Sequence, residues 1–147
     1  MTMSSYLPDL GPITQPQLPD HLRFWEYCAQ RELRFQCCAS CGRWRHPPAP
    51  VCPQCGSGET EWKLAPQSAE LFSYTVVHHA ATPALRAHVP YKIAIVAFHG
   101  LEDIRVVSNI IDVRGEELRI GMPLRIVWQE QAPGRVLPLF ERAGATR

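Results

Sequence analysis

A chain of 147 residues is long enough for one compact domain, or for a small module joined to a slightly larger one. Apolar residues make up 46% of it, enough for a buried core, and 15 basic against 14 acidic side chains leave a net charge of +1, which excludes a general attraction to nucleic acid or to an anionic membrane. No apolar run approaches the ~20 residues of a membrane span and residues 1–20 carry no secretory signal, so the chain reads as cytoplasmic and its six cysteines as metal ligands rather than disulfides.

Residues 1–20 hold Pro8, Pro12, Pro16, Pro19 and Gly11, which predicts an extended Pro-rich tail. Asp20 then offers a capping side chain. Leu22, Trp25 and Ala29 recur at spacings of three and four, with Phe24 and Cys28 beside them, so a helix is expected over residues 21–32, within a segment 21–36. Adjacent Phe24 and Trp25 cannot both sit at the centre of one stripe; either both pack on this chain's core or one faces a neighbour. A cysteine-rich segment, 37–64, follows, and Ala65-Pro66-Gln67-Ser68 reads as a linker.

From residue 67 to 141 the period becomes that of strands. Phe72, Tyr74 and Val76 alternate with Ser73 and Thr75, as in a strand with one buried face. Residues 91–98 are apolar on both faces and read as a central strand. Further strands are expected at 104–111, 124–129 and 136–140, with Pro138 pointing to an edge position. Residues 114–119 leave room for about one helical turn between the third and fourth. Five strands with that interruption match an OB-fold barrel. The fold class is therefore mainly β: an N-terminal helix, a rubredoxin-like zinc ribbon and a C-terminal five-stranded OB-fold.

The strongest chemical signal is Cys38-Ala-Ser-Cys41-Gly42 followed by Cys52-Pro-Gln-Cys55-Gly56. Each half is a C-x-x-C knuckle trailed by glycine, which lets the backbone turn tightly and aim amides at sulfur. Together Cys38, Cys41, Cys52 and Cys55 supply four thiolates, which satisfy one tetrahedral zinc with no open position and so predict a structural ion. Cys37 is an alternative to Cys38 in a C-x-x-x-C arrangement, and iron takes the same ligand set. A redox dithiol fits less well, because this loop-rich stretch lacks the strand-to-helix setting it uses. Trp44 and Trp62 flank the ribbon, and Pro47, Pro48 and Pro50 stiffen the loop between knuckles.

Taken in order, the helix with Phe24-Trp25-Glu26, the run Leu33-Arg-Phe-Gln-Cys-Cys-Ala-Ser-Cys-Gly-Arg43, the run Pro47-Pro-Ala-Pro-Val-Cys-Pro-Gln-Cys-Gly-Ser57, the strand Ser73-Tyr-Thr-Val-Val-His78, Val89-Pro-Tyr91, Ile120-Gly-Met-Pro-Leu124 and Leu137-Pro-Leu-Phe140 resemble a known family. Its members join a rubredoxin-like zinc ribbon to an OB-fold and accompany acyl-CoA enzymes; the likeness covers residues 21–141. The resemblance implies a non-catalytic accessory subunit paired with a thiolase-superfamily protein. That partner would be a thiolase, or a retro-aldolase of steroid side-chain degradation, or a thiolase acting on aromatic acyl-CoA compounds. It would carry the reacting residues, while the zinc-ribbon subunit stabilises it and helps hold CoA. Two departures stand out. Cys37 occupies a place where the family often has a basic residue, and the tail of residues 1–19 carries no family motif.

CoA would need cations for its phosphates and an apolar surface for its adenine and pantetheine. The loop after the first barrel strand leads through Arg86 and His88 to Tyr91 and Lys92, so Arg86, Tyr91 and Lys92 are the candidate CoA residues. No residue is assigned as catalytic. Tandem His78 and His79 have no orienting acid in sequence, and there is no G-x-S-x-G elbow or phosphate loop. Two other classes compete: a stand-alone acyl-CoA binder, and a single-strand nucleic-acid binder using Arg43-Trp44-Arg45, which the near-neutral charge disfavours.

Overall fold

The computed structural model describes residues 18–144; residues 1–17, which hold almost all of the expected Pro-rich tail, lie outside the described residues. The helix α1 spans Pro19–Ala29. It begins two residues before the expected start because Pro19 takes a first-turn position, where a fixed φ suits the helix and the missing N–H costs nothing. Asp20 is therefore not the cap. It sits in the first turn, where a carboxylate complements the helix dipole, and Leu18 stands at the N-cap without a side-chain bond. The helix ends earlier than expected because Arg31 turns left-handed at φ 59°. The Arg31 N–H donates to the Cys28 carbonyl and the Glu32 N–H to the Tyr27 carbonyl, both at 2.9 Å, closing a Schellman motif. Phe24 is buried and meets Trp25 edge-on at 5.2 Å, and both aromatics pack on this chain's own core.

Three short strands form the ribbon sheet: β1 (Arg34–Cys38), β2 (Trp44–Arg45) and β3 (Thr60–Leu64), in the order β2-β1-β3 and all antiparallel. Five more strands follow: β4 (Ala69–Val77), β5 (Tyr91–Phe98), β6 (Leu101–Asn109), β7 (Pro123–Ala132) and β8 (Arg135–Arg142). Their order is β6-β5-β4-β7-β8. The two outer strands meet at a parallel bridge between Ile110 and Phe140, where the Ile111 N–H reaches the Phe140 carbonyl at 2.8 Å, so the sheet curls towards a closed OB barrel. A single 3-10 turn, Gly115–Glu117, fills the connection between β6 and β7. Pro138 lies on outer strand β8, as its missing N–H requires, and its carbonyl accepts the Ser108 hydroxyl.

In β4 the expected inward face is corrected at Phe72. Leu71 and Ala69 are buried and Phe72 is 49% exposed, whereas Tyr74 lies opposite buried Ala94 and Val76 packs on the core, as the alternation expects. The register with β5 shifts between Leu71 and Ser73, and this bulge turns Phe72 outward. The Arg105 guanidinium lies 4.2 Å from the Phe72 ring centre, covering part of it.

Ribbon and barrel share one core. Phe35 of β1 meets Phe98 of β5 edge-on at 5.2 Å, and Phe98 meets Phe140 of β8 at 6.3 Å. Phe24 and Cys28 of α1 close the same cluster from outside. Each such ring contributes roughly 1.5–3 kcal/mol by leaving water. The sheet that carries the cysteines is thus anchored on the barrel through Phe35.

Candidate metal centre

Strand β1 delivers Cys38 at its last position, and the turn that follows delivers Cys41. The second knuckle repeats the first bond for bond. The Gly42 N–H donates to the Cys38 carbonyl at 2.9 Å and the Gly56 N–H to the Cys52 carbonyl at 2.8 Å. The Cys38 N–H reaches the Arg43 carbonyl and the Cys52 N–H the Ser57 carbonyl, each at 2.8 Å. Both glycines are left-handed, at φ 77° and 74°, which a side chain would strain. The Ser40 and Ser57 hydroxyls join the knuckles at 2.8 Å, and Arg43 Nη1 donates to Gln54 Oε1 at 2.9 Å.

The sulfurs of Cys38, Cys41, Cys52 and Cys55 all lie within 4.8 Å of one another, with Cys38–Cys55 and Cys41–Cys52 both at 3.6 Å. Zinc–sulfur bonds of about 2.3 Å in a tetrahedron require sulfurs about 3.8 Å apart, so this donor set fits such an ion. The Cys37 sulfur is not part of the cluster: it lies 3.4 Å from the Gly42 carbonyl on the other side of β1. The amides of Cys41 and Ser40 hold the Cys38 thiol down at about 6, and those of Cys55 and Gln54 lower Cys52. At Cys41 the Arg43 amide pulls the same way, but burial and the neighbouring sulfurs outweigh it and push the thiol up to about 12. The knuckle amides thus favour the thiolate at Cys38 and Cys52, and a bound cation would favour it at Cys41. Cys28, buried on α1, is pushed up to about 12 by desolvation and is inert.

Beside the cluster lie three polar residues with no signal in the sequence. Gln36 is fully buried and its Oε1 accepts the Ala49 N–H at 2.8 Å. Arg45 is buried one strand over and holds the Ala49 carbonyl through Nε and Nη2, at 3.2 and 3.0 Å. His46, expected in a loop, is wedged between Phe24 and Phe35, its ring centre 5.1 and 5.2 Å from theirs. Burial, with a smaller effect from His21, lowers its pKa to about 4, and its Nδ1 has no hydrogen-bond partner. Their side-chain types would suit any exposed loop; the pairing of β1 with β2 buries Gln36 and Arg45, and Phe24 and Phe35 half-bury His46.

The candidate CoA residues do not converge. Arg86 is exposed after the 3-10 turn Pro83–Leu85. Tyr91 and Lys92 are neighbours on β5 and point to opposite faces, and the Lys92 ammonium donates to the Val113 carbonyl. His78 and His79 are exposed just beyond β4. Arg43-Trp44-Arg45 is not a basic stripe open to solvent: Arg43 pairs with Asp103 at 3.2 Å, Trp44 packs on the core and Arg45 is buried. Among the described residues no helix is long and apolar enough to cross a membrane.

Residues 25–61 match the family described as the ChsH2 rubredoxin-like zinc ribbon domain, and residues 62–129 the ChsH2 C-terminal OB-fold domain. The chain is 39% identical over 121 residues to a probable enoyl-CoA hydratase alpha subunit of Thermomonospora curvata, covering 82% of itself but only 37% of that relative. It is 29% identical over 111 residues to a DUF35 domain-containing scaffold protein of Methanocaldococcus jannaschii, covering 74% of itself and 76% of the relative. Among solved structures it is similar to an Ltp2-ChsH2(DUF35) aldolase, with a TM-score of 0.78 and 36% identity over 88% of this chain and 99% of that one. A DUF35-family structure from Sulfolobus solfataricus, 20% identical with a TM-score of 0.60 over 84% and 85% of the two chains, shares the fold.

Proposed function

Because the chain belongs to the ChsH2 family, a rubredoxin-like zinc ribbon joined to an OB-fold, we propose that it is a non-catalytic subunit of a heteromeric acyl-CoA enzyme. Its partner would be a thiolase-superfamily protein that makes or cleaves a carbon–carbon bond in a CoA thioester, of the retro-aldolase kind. The reading is carried by the likeness to the ChsH2 chain of an aldolase, which extends over 99% of that chain. Four thiolates close the metal's coordination sphere, so the ion would stiffen a docking module rather than meet substrate. Cysteines without disulfides suit a reducing compartment such as the cytoplasm.

The outer face of β4–β6 is the surface we assign to that partner. Ser73, Ile95 and Val107 form one row across the three strands, and Thr75, Ile93 and Asn109 the next. The inward row, Leu71, Val96 and Val106, fills the barrel. Val107 is 71% exposed on the outer face of β6, and Phe72 is exposed on β4 two strands away. Apolar side chains left open on a sheet, here Phe72 and Val107 with Ile93 and Ile95 between them, favour a covering partner. Any contact with CoA would come from the exposed barrel end that carries Arg86 and Tyr91, with Lys92 engaged elsewhere.

The test is to purify the chain alone and with co-expressed thiolase-like proteins, and to assay cleavage and condensation of acyl-CoA substrates. Activity is expected only in the complex; full turnover by the chain alone would overturn the reading. The Thermomonospora relative favours a second partner, an enoyl-CoA hydratase. The two reactions are chemically adjacent, since hydration of a 2-enoyl thioester makes the 3-hydroxyacyl thioester that a retro-aldolase cleaves. Assaying both substrates against the same co-purified complex separates them.

A further inference from the structure

We propose that Arg45 is the counter-cation of the tetrathiolate centre, so that its charge, and not only its hydrogen bonds, sets how tightly the four cysteines hold a divalent ion. Arg45 is 7% exposed, and among the described residues it has no carboxylate partner. Its acceptors are neutral: the Ala49 carbonyl through Nε and Nη2, and Thr60 Oγ1 from Nη2 at 2.6 Å. Its Nη1 is buried with no hydrogen-bond partner at all. A guanidinium stays protonated in any protein, and burying one without a nearby negative charge is costly.

The fold supplies that charge at the cysteines. Arg45 is the register partner of Gln36, which shares a face of β1 with Cys38 two residues on. Thr60, gripped by the guanidinium, is the register partner of Cys38 itself. Ala49, gripped from the same side chain, opens the short run to Cys52. These bonds tie Arg45 to the strand position that faces Cys38 and to the segment that leads into Cys52. Four thiolates around a divalent ion carry about two net negative charges, which the knuckle amides meet with dipoles but not with a full positive charge. The other nearby cation, Arg43, is half in solvent and pairs with Asp103 at 3.2 Å, so its charge is matched elsewhere. Arg45 offsets the thiolates without touching the metal, and the thiolates in turn make a buried arginine tolerable. Its part is positional and electrostatic.

Zinc affinity, measured by competition with a chromophoric chelator at fixed pH and salt, tests this with three variants. Arg45→Gln keeps a donor but removes the charge, and should weaken zinc by about tenfold or more. Arg45→Lys keeps the charge but cannot span the Ala49 carbonyl with two N–H groups, and should stay within about threefold of wild type. Thr60→Val removes the hydroxyl and leaves the charge, with the same expectation. A loop clamp would show the opposite order: Arg45→Lys and Thr60→Val would lose affinity as Arg45→Gln does. The iron-loaded protein gives a readout that a structural role would not move. A nearby cation favours the more negative ferrous centre, so the reduction potential should fall in Arg45→Gln and hold in Arg45→Lys. Equal losses in Arg45→Lys and Arg45→Gln, zinc affinity retained in Arg45→Gln, or an unchanged potential in Arg45→Gln would each overturn the proposal. If Arg45→Gln does not fold, near-wild-type zinc affinity in Arg45→Lys and Thr60→Val supports it, and a tenfold loss in either overturns it.

Discussion

His46 sets a local pH dependence of stability. Burial between Phe24 and Phe35 lowers its pKa from 6.5 to about 4. Below pH 6.5 the unfolded chain takes up a proton on this imidazole and the native chain does not, so stability falls as pH drops from 6.5 to about 4 and then levels off. The whole shift corresponds to at most about 3 kcal/mol. His46→Phe keeps the aromatic packing and removes the buried Nδ1, which has no partner to lose. Urea unfolding of both proteins at pH 7 and pH 5 should show a smaller loss in the variant by roughly 1–2 kcal/mol; equal losses would mean that the imidazole is hydrated in the native state. Zinc release in acid acts on both proteins and cancels in the comparison. At Gly56 an added Cβ would meet nothing within 4 Å, so Gly56→Ala isolates the cost of its positive φ. That variant should lose about 1–2 kcal/mol of stability in the zinc-bound protein, read from its thermal midpoint.

At the scale of elements, the ribbon is three short strands whose enclosed core is small, so metal binding must supply much of its folding free energy. Chelation should change the fluorescence of Trp44 on β2 and Trp62 on β3, while the far-UV signal of the five barrel strands persists. Cys41→Ser should reproduce that state without a chelator. Cys37→Ser should still bind zinc with full stoichiometry, because the Cys37 sulfur faces the Gly42 carbonyl rather than the cluster. A Cys37→Ser protein that bound no zinc would break this assignment. The knuckles were legible in the sequence because two C-x-x-C-Gly repeats leave little freedom in how the sulfurs meet. The start of β4 was not legible. Its alternation predicts Phe72 inside with Tyr74 and Val76, yet one inserted residue at the bulge puts Phe72 out and leaves Leu71 to the core. A bulge answers to curvature set by neighbouring strands, and hydropathy alone carries no record of it.

At the scale of the whole molecule, α1, ribbon and barrel pack as one body through Phe24, Phe35, Phe98 and Phe140. Such a body can present a rigid outer face, and the exposed row through Val107 is where a partner would find it. Val107→Glu should abolish co-purification with the proposed partner while leaving zinc content and thermal midpoint within error of wild type, as measured by pull-down, metal analysis and calorimetry. Retained co-purification would move the interface to another face.

Sequence alone determined the parts and their chemistry: four thiolates in two knuckles, five strands with the expected interruption, and an order of motifs that resembles one family. These are local facts, fixed by spacing and period. Only the tertiary structure decided which groups those parts bury together. It placed Cys38 in the cluster and Cys37 outside it, sank Gln36 and Arg45 out of water, separated Tyr91 from Lys92 on opposite faces of one strand, and left Phe72 and Val107 bare on one sheet face. The physical reason is that desolvation, electrostatic pairing and facing depend on which distant strands pack against a residue, and a one-residue change in register reverses all three.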